Sequence, residues 1–236
     1  HMTLKRKTGR MKLGSLLLLL VCTLLPATAH ATKFVTLKVV DQEYLMVQFR
    51  DGEVRYRDNG RGPSAFLGHT FAEGDDTLRV FGTRLDPSVA VAAHDWTLSS
   101  PDDPSLNGLH PMSISHKAKP MKTDHTLTSE LDHWFFLRLP HPMKQGCTYE
   151  VTFPTGIEAD TRSAKTTFDI WRSQSEAIHV NIVGYVPHGR AHAADLYMWL
   201  GDGGQRDYKA FENNQVFLLN TATGERNAIG KVAFWK

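Results

Sequence analysis

Hydrophobic and polar residues alternate in short runs along the chain after residue 31. Clusters of Gly, Pro, Asp and Asn separate these runs, and no segment keeps a 3.6-residue hydrophobic period long enough to predict a helix. Period-two alternation between turn residues is typical of strands. The pattern therefore predicts an all-β protein, with strands at residues 34–40, 44–49, 78–81, 95–98, 112–116, 133–139, 148–153 and 166–170.

The clearest alternation lies at residues 133–139. It divides the side chains into two sets on opposite faces: Trp134, Phe136 and Arg138 on one, and His133, Phe135, Leu137 and Leu139 on the other. One of these faces is apolar, so we expect it to pack on a core. Turn signals recur about every ten residues, which favours a β-sandwich for residues 32–172. The polar stretch 117–129 is expected to be a long exposed loop.

A polar run at residues 172–176 precedes a new apolar start at Ile178. Composition of this kind is typical of a linker, so we place a domain boundary at residues 173–177. The second unit, residues 178–236, contains about four predicted strands, whereas a complete sandwich needs about seven. Those strands are predicted at residues 178–183, 194–200, 215–220 and 231–234. We therefore expect two tandem β-sandwiches, the second of them truncated.

Residues 1–31 have the pattern of a secretory signal peptide. A basic stretch ends at Lys12, an apolar run follows at residues 16–21, and Ala29-His30-Ala31 predicts cleavage after Ala31. The alternative is an uncleaved anchor, although the apolar run is short for a spanning helix. Cleavage would leave a secreted protein, periplasmic or extracellular, with no membrane attachment and with the single cysteine Cys147, so no internal disulfide is expected.

The charge balance argues against nucleic acid as a partner. The chain has 27 basic and 25 acidic residues, but five of the basic residues precede Thr32. The mature protein would therefore be slightly acidic, and no basic patch would attract it to a phosphate backbone.

The start of the second unit contains the segment Ile178-His179-Val180-Asn181-Ile182-Val183-Gly184-Tyr185-Val186-Pro187. Gly184 allows a backbone turn that a side chain would obstruct, and Pro187 ends a strand. We expect Tyr185 to bury its ring and to use its hydroxyl in a hydrogen bond at a sheet corner.

This segment resembles the opening of the N-terminal immunoglobulin-like domain of family 9 glycoside hydrolases, the cellulase-type enzymes. That domain typically begins with an apolar-x-Val-Asn-Gln-x-Gly-Tyr-x-Pro motif, and Ile182 stands where the family usually has Gln. The resemblance covers about residues 176–236, while residues 33–172 are similar to generic bacterial immunoglobulin-like modules. It implies two tandem immunoglobulin-like β-sandwiches, the second of them truncated.

The resemblance implies a non-catalytic N-terminal region of a secreted polysaccharide-degrading enzyme. In such an enzyme a downstream helical domain of the same chain cleaves glycosidic bonds by inversion, and the domain seen here braces or docks it. Asn181, Gly184, Tyr185 and Pro187 would then form a domain-docking motif, and no cofactor is expected. The alternative is a carbohydrate-binding or cell-surface interaction module built of the same sandwiches.

The sequence contains only weak candidates for catalytic residues. Three carboxylate pairs have an acid-and-base composition that suits a glycosidase: Asp75-Asp76, Asp102-Asp103 and Glu130/Asp132. They lie in stretches that look turn-like or exposed, so we interpret them as solvated charges. No Ser lies in a Gly-x-Ser-x-Gly elbow, and the glycine-rich residues 201–204 are typical of a hairpin turn and lack the Lys-Ser/Thr ending of a phosphate-binding loop.

Histidines and tryptophans supply two further hypotheses. Five histidines fall within a short stretch: His110, His116, His125, His133 and His141. Their spacing does not fit a metal motif, so no metal site is predicted, although strands could still bring His116, His133 and Asp132 together. Flat aromatic faces could stack on sugar rings, and the candidates are Trp96, Trp134, Trp171 and Trp199. Of these, Trp134 fits a core position better, and polysaccharide stays a possible partner.

Overall fold

The computed structural model describes residues 31–57, 77–186, 188–189 and 192–234, and Ala31–Lys236 form one compact unit. Residues 1–30 of the predicted signal peptide lie outside the described residues. Strands dominate the architecture, which confirms the all-β prediction. None of the helices in the described ranges is long and apolar enough to span a bilayer.

The larger sheet has five strands, which are β1 (Lys33–Asp41), β2 (Tyr44–Arg57), β3 (Thr77–Phe81), β5 (Ser113–Met121) and β6 (Thr128–Arg138). Their order is β1-β2-β6-β5, and β3 pairs with the second half of β2. Neighbouring strands are antiparallel, and β2 and β6 form the centre of the sheet. The strand β5 therefore lies at an edge.

The smaller sheet has three antiparallel strands, β4 (Thr97–Ser99), β7 (Thr148–Thr152) and β8 (Ser163–Thr167), in the order β4-β7-β8. A short helix, α1 (Pro87–Ala90), lies before β4 in the chain. Asp86 caps α1 by accepting a hydrogen bond from the Ser88 N–H at 2.8 Å, and Pro87 suits the first turn because its missing N–H needs no partner there.

Both sheets contribute side chains to one buried cluster, which we call the first core. Its members from the larger sheet include Phe49, Phe135 and Leu137, and those from the smaller sheet include Tyr149 and Val151. The fully buried Trp96 ring lies 6.0 Å from Phe135 and 5.7 Å from Phe153, and its indole N–H donates to the Ala90 carbonyl at 2.8 Å. This hydrogen bond satisfies the one polar atom of a large buried side chain.

The opposite face of the larger sheet is also buried over part of its area. Met46 and Phe136 pack there against Met198, Leu200 and Tyr208, in a cluster that we call the second core. The predicted alternation along residues 133–139 is confirmed, since Phe135 and Leu137 enter the first core while Phe136 enters the second.

The C-terminal part contains two small sheets, β9 (Ile178–His179) with β10 (Asp195–Leu196), and β11 (Gln215–Leu219) with β12 (Arg226–Lys231). Single 3₁₀ turns occupy Ala93–Asp95, Thr155–Ile157, Gly201–Gly203 and Lys209–Phe211. The second core joins residues before and after the expected linker, since Val40 and Met198 both belong to it. The domain boundary at residues 173–177 stays a prediction.

The expectation of a long loop at residues 117–129 was wrong. Residues 117–121 extend β5, and Thr128 and Ser129 begin β6. The physical reason is the pairing of the two strands, which continues from Ser113 opposite Arg138 to Met121 opposite Glu130. Main-chain pairing imposes no requirement for apolar side chains, so a lysine-rich segment can form an edge strand.

Candidate docking surface

The predicted docking motif forms a compact loop directly after β9. The Asn181 carbonyl accepts a hydrogen bond from the Gly184 N–H at 3.1 Å, and its side-chain Oδ1 accepts from the Val183 N–H at 3.1 Å. Gly184 has φ = +88°, a conformation that favours glycine, as the sequence suggested. Pro187 lies outside the described residues.

Tyr185 holds this loop closed through its hydroxyl. The hydroxyl accepts a hydrogen bond from the Asn181 N–H at 3.2 Å and donates one to the Ala193 carbonyl. The predicted hydrogen bond is therefore present, but the prediction of a buried ring was wrong, since Tyr185 is 40% exposed. The sequence specifies the polar contacts of the loop, whereas burial depends on what else packs over it.

Large aliphatic side chains of the loop are exposed to solvent. The exposed fractions are 61% for Val180, 98% for Ile182, 88% for Val183 and 72% for Val186. Four such residues lie within a seven-residue segment, and contiguous apolar surface of this kind is typical of interaction sites. We call residues 178–186 the apolar loop.

The segment around the apolar loop is anchored to the larger sheet. Arg206 Nε donates to Asp41 at 2.9 Å and its Nη2 to Glu43 at 2.6 Å, next to the turn between β1 and β2. The Ser175 hydroxyl donates to the Val40 carbonyl, and Ala177 is buried in the second core. These contacts hold the segments before and after the apolar loop against a packed sheet.

The candidate carboxylates are engaged in structural contacts. Asp132 accepts from Arg50 Nε at 2.6 Å and from Gln48 at 2.7 Å, and Arg50 also pairs with Glu130 at 2.6 Å. Asp132 is fully buried within β6. Its interpretation as a solvated charge was therefore wrong, because cross-strand pairing brings Arg50 directly opposite it.

The interpretation of Asp103 as a solvated charge was also wrong, because this residue is fully buried. It accepts from Lys144 Nζ at 2.7 Å, from the Tyr149 hydroxyl at 2.9 Å and from the Ser105 hydroxyl at 2.6 Å. Its neighbour Asp102 is exposed and accepts one bond from the Thr148 N–H at 3.1 Å. The pair Asp75-Asp76 lies outside the described residues.

His116 and His133 are brought together, but not with Asp132. His116 Nε2 lies 3.0 Å from His133 Nδ1, whereas Asp132 is bound to Arg50 and Gln48. Within the described ranges, no group of three or more His, Cys, Asp or Glu side chains is placed to hold a metal ion.

This histidine pair makes stability depend on pH. Burial lowers the pKa of both His116 and His133, and the mutual repulsion adds to the effect at His116, against weaker opposing contributions from Asp202 and Asp51. The unfolded chain binds protons near pH 6.5, so acidification through that range favours unfolding. We expect the free energy of unfolding, measured in urea, to fall as the pH drops from about 7 to about 5. His116→Gln should flatten this dependence, and His125→Gln, at an exposed position, should not; an equal slope in both variants would contradict the assignment.

The four candidate tryptophans differ in accessibility. Trp96 is fully buried, and Trp134 packs against the second core with Lys117 Nζ 5.3 Å from its ring centre. Trp171 is covered by Arg226, whose guanidinium carbon lies 3.9 Å from the ring centre. Trp199 is 60% exposed. The structure thus leaves one of the four with a largely open ring.

The sequence interpretation missed Tyr197, which is 55% exposed. A signal was present, because Leu196, Met198 and Leu200 alternate with Tyr197 and Trp199. Period-two alternation places the two aromatic residues on the face opposite the three aliphatic ones. The three aliphatic residues do pack in or against the second core.

Comparison with known proteins gives no relative on which to base a function. The chain matches no family model, no curated protein and no solved structure.

Proposed function

We propose that this chain is the non-catalytic N-terminal region of a secreted polysaccharide-degrading glycoside hydrolase similar to family 9. In this proposal, the apolar loop docks or braces a catalytic domain downstream in the same chain. The observation that carries the proposal is the exposure of Val180, Ile182 and Val183 within the segment that resembles the family motif. Burying such side chains against a partner removes apolar surface from water.

The internal order of the apolar loop supports docking. Asn181 accepts hydrogen bonds from the N–H groups of Val183 and Gly184 and donates one to the Tyr185 hydroxyl, so the exposed side chains stand on a closed loop. A surface that is already ordered loses little conformational entropy on binding. The proposal also includes an immunoglobulin-like sandwich before residue 173. The packing of two sheets around the first core supports this part of the proposal.

The engagement of Asp103 and Asp132 fits a non-catalytic role. A glycosidase needs one carboxyl group to give a proton and another to activate water or attack the sugar. Both of these buried carboxylates instead accept hydrogen bonds from cationic side chains. Residues 32–236 are therefore expected to release no reducing sugar from cellulose, xylan or mixed-linkage glucan.

The docking step can be tested with the catalytic domain that the proposal expects in the same reading frame. Expressed separately, this domain should bind residues 32–236 in isothermal titration. Changing Ile182 and Val183 together to Ser should weaken binding about a hundredfold or more, since each aliphatic side chain contributes about 1.5–3 kcal/mol when buried. Leu78→Ser, at a residue that is 58% exposed on β3, is the matched control and should leave the affinity unchanged.

Two results would overturn this function. One is equal affinity of the Ile182/Val183 variant and the wild type. The other is sugar release by residues 32–236 alone that disappears in Asp103→Ala or Asp132→Ala. Sequencing the gene past codon 236 provides an independent check, because the proposal expects a helical domain with a pair of Asp residues near its start.

A further inference from the structure

Tyr197 and Trp199 present two exposed aromatic rings from one short extended segment. Leu196 begins the segment and Leu200 ends it, and Met198 between the aromatic residues is buried in the second core. Residues two apart in an extended chain are separated by about 6.6 Å on the same face. The two rings are therefore neighbours, and the spacing between the two residues is comparable to the length of one sugar unit in a polysaccharide.

His179 fixes the orientation of the Tyr197 ring. The two rings stack with their centres 3.9 Å apart and their planes at 10°, and His179 Nε2 lies 3.2 Å from the Tyr197 carbonyl oxygen. The stack leaves Tyr197 55% exposed. A ring held in this way is ordered before a ligand arrives, which lowers the entropic cost of binding.

Two polar residues neighbour the aromatic residues in the main-chain pairing. Asp195 lies opposite His179 across β9 and β10, and Gln205 lies opposite Trp199 in an isolated main-chain bridge. Asp195 and Gln205 are both exposed. A carboxylate and an amide can accept and donate hydrogen bonds to hydroxyl groups, while the negative charge of Asp195 disfavours a polyanion.

We propose that Tyr197, Trp199 and their polar neighbours form a binding site for a neutral polysaccharide chain. The C–H faces of successive pyranose rings stack on the Tyr197 and Trp199 rings, and sugar hydroxyls bond to Asp195 and Gln205. Aromatic rings with a few polar groups at the edge suit such a ligand, because one side of a pyranose is apolar and its rim is polar. This site goes beyond the docking function, which uses the aliphatic side chains of the apolar loop.

The test uses residues 32–236 with cellohexaose and xylohexaose as probes, measured by affinity electrophoresis and tryptophan fluorescence. Wild-type protein should bind at least one of the two. Trp199→Ala should weaken binding about tenfold or more, a loss of about 1.4 kcal/mol or more, because it removes one of the two stacking faces. Trp199→Phe, which keeps a flat ring, should recover most of the affinity.

Trp171→Ala is the matched control, because Arg226 covers that ring, and it should bind as the wild type does. The Ile182/Val183 variant should also bind sugar normally, so loss of docking and loss of sugar binding are distinguishable. Thermal melting of each variant checks that the fold is retained, which is expected at a position that is 60% exposed. Absence of binding by the wild type, or equal affinity of Trp199→Ala and Trp171→Ala, would overturn the proposal.

Discussion

Gly201→Ala is expected to lower the free energy of unfolding by roughly 2–6 kcal/mol, the combined cost of a strained backbone and an overpacked contact. Gly201 has φ = +69°, where a side chain is disfavoured. An added Cβ would also overlap the His116 carbonyl oxygen and lie 2.9 Å from Lys117 Cβ on the edge strand β5. Since these atoms belong to the sheet, the turn itself would have to move.

That movement would disrupt more than one contact. The adjacent Asp202 accepts a hydrogen bond from the His116 N–H at 2.7 Å, so the turn at residues 201–204 covers part of the open edge of β5. Gly203 is equally confined, because a Cβ there would lie 2.7 Å from the Ser115 side chain. The glycine-rich segment therefore needs its glycines for close approach to β5.

The control for this prediction is Gly224→Ala. Gly224 has φ = +76°, but an added Cβ would meet no atom within 4 Å. It therefore carries the backbone cost alone, about 1–2 kcal/mol. Urea unfolding of both variants separates the two contributions, and equal losses at Gly201 and Gly224 would show that contact with β5 is unimportant.

Asp103→Asn is expected to cost roughly 2–4 kcal/mol of stability, because it removes a buried charge on which three side-chain donors converge. Lys144, Ser105 and Tyr149 all donate to this carboxylate. An amide cannot accept from all of them, and the buried Tyr149 hydroxyl would lose its acceptor or face another donor. The side chain of Lys144 is 58% exposed and can turn to water, which limits the loss.

The same carboxylate should affect stability in acid. Burial raises the pKa of Asp103, but hydrogen bonds from Lys144, Ser105 and Tyr149 lower it more, so its pKa lies well below the usual range. The stabilisation is present above the unfolded value near pH 4 and is lost as the pH falls below it. Wild-type protein should therefore lose stability below about pH 4, and Asp103→Asn should lose less.

Asp102→Asn is the matched control, since Asp102 is exposed and accepts one hydrogen bond from the main chain. Its effect should stay within about 0.5 kcal/mol. The measurement is the free energy of unfolding in urea at neutral and acidic pH. If both variants behaved alike, the network around Asp103 would have no energetic importance.

The sequence predicted those structural features that depend on the local pattern of residues. Alternation at residues 133–139 correctly separated Phe135 from Phe136, and the glycine at position 184 correctly indicated an unusual backbone angle. The buried state of Asp103 was not predictable, because its partners Lys144 and Tyr149 lie more than 40 residues away in the chain. A Pro-Asp-Asp-Pro segment indicates a turn but says nothing about which side chain turns inward.

In the candidate site, too, the local features could be predicted from the sequence and the burial of side chains could not. The internal hydrogen bonds of the apolar loop follow from residues that are close in sequence, so Asn181 and Tyr185 could be identified. Neither the exposure of the Tyr185 ring nor the burial of Ala177 follows from the motif. Both depend on packing between the segment after residue 172 and the sheet formed before it.

The burial of β6 on both faces has a consequence for biosynthesis. The chain is made from its N-terminus, so β1, β2 and β6 can pair before residues 177–211 exist. Until those residues are synthesised, the side chains of the sheet that belong to the second core are exposed to water. They include Val40, Met46 and Phe136. At about 5–20 residues per second, synthesis of residues 139–211 takes roughly 4–15 s. During this interval the nascent sheet exposes an apolar surface, which would be the binding site for a holding chaperone.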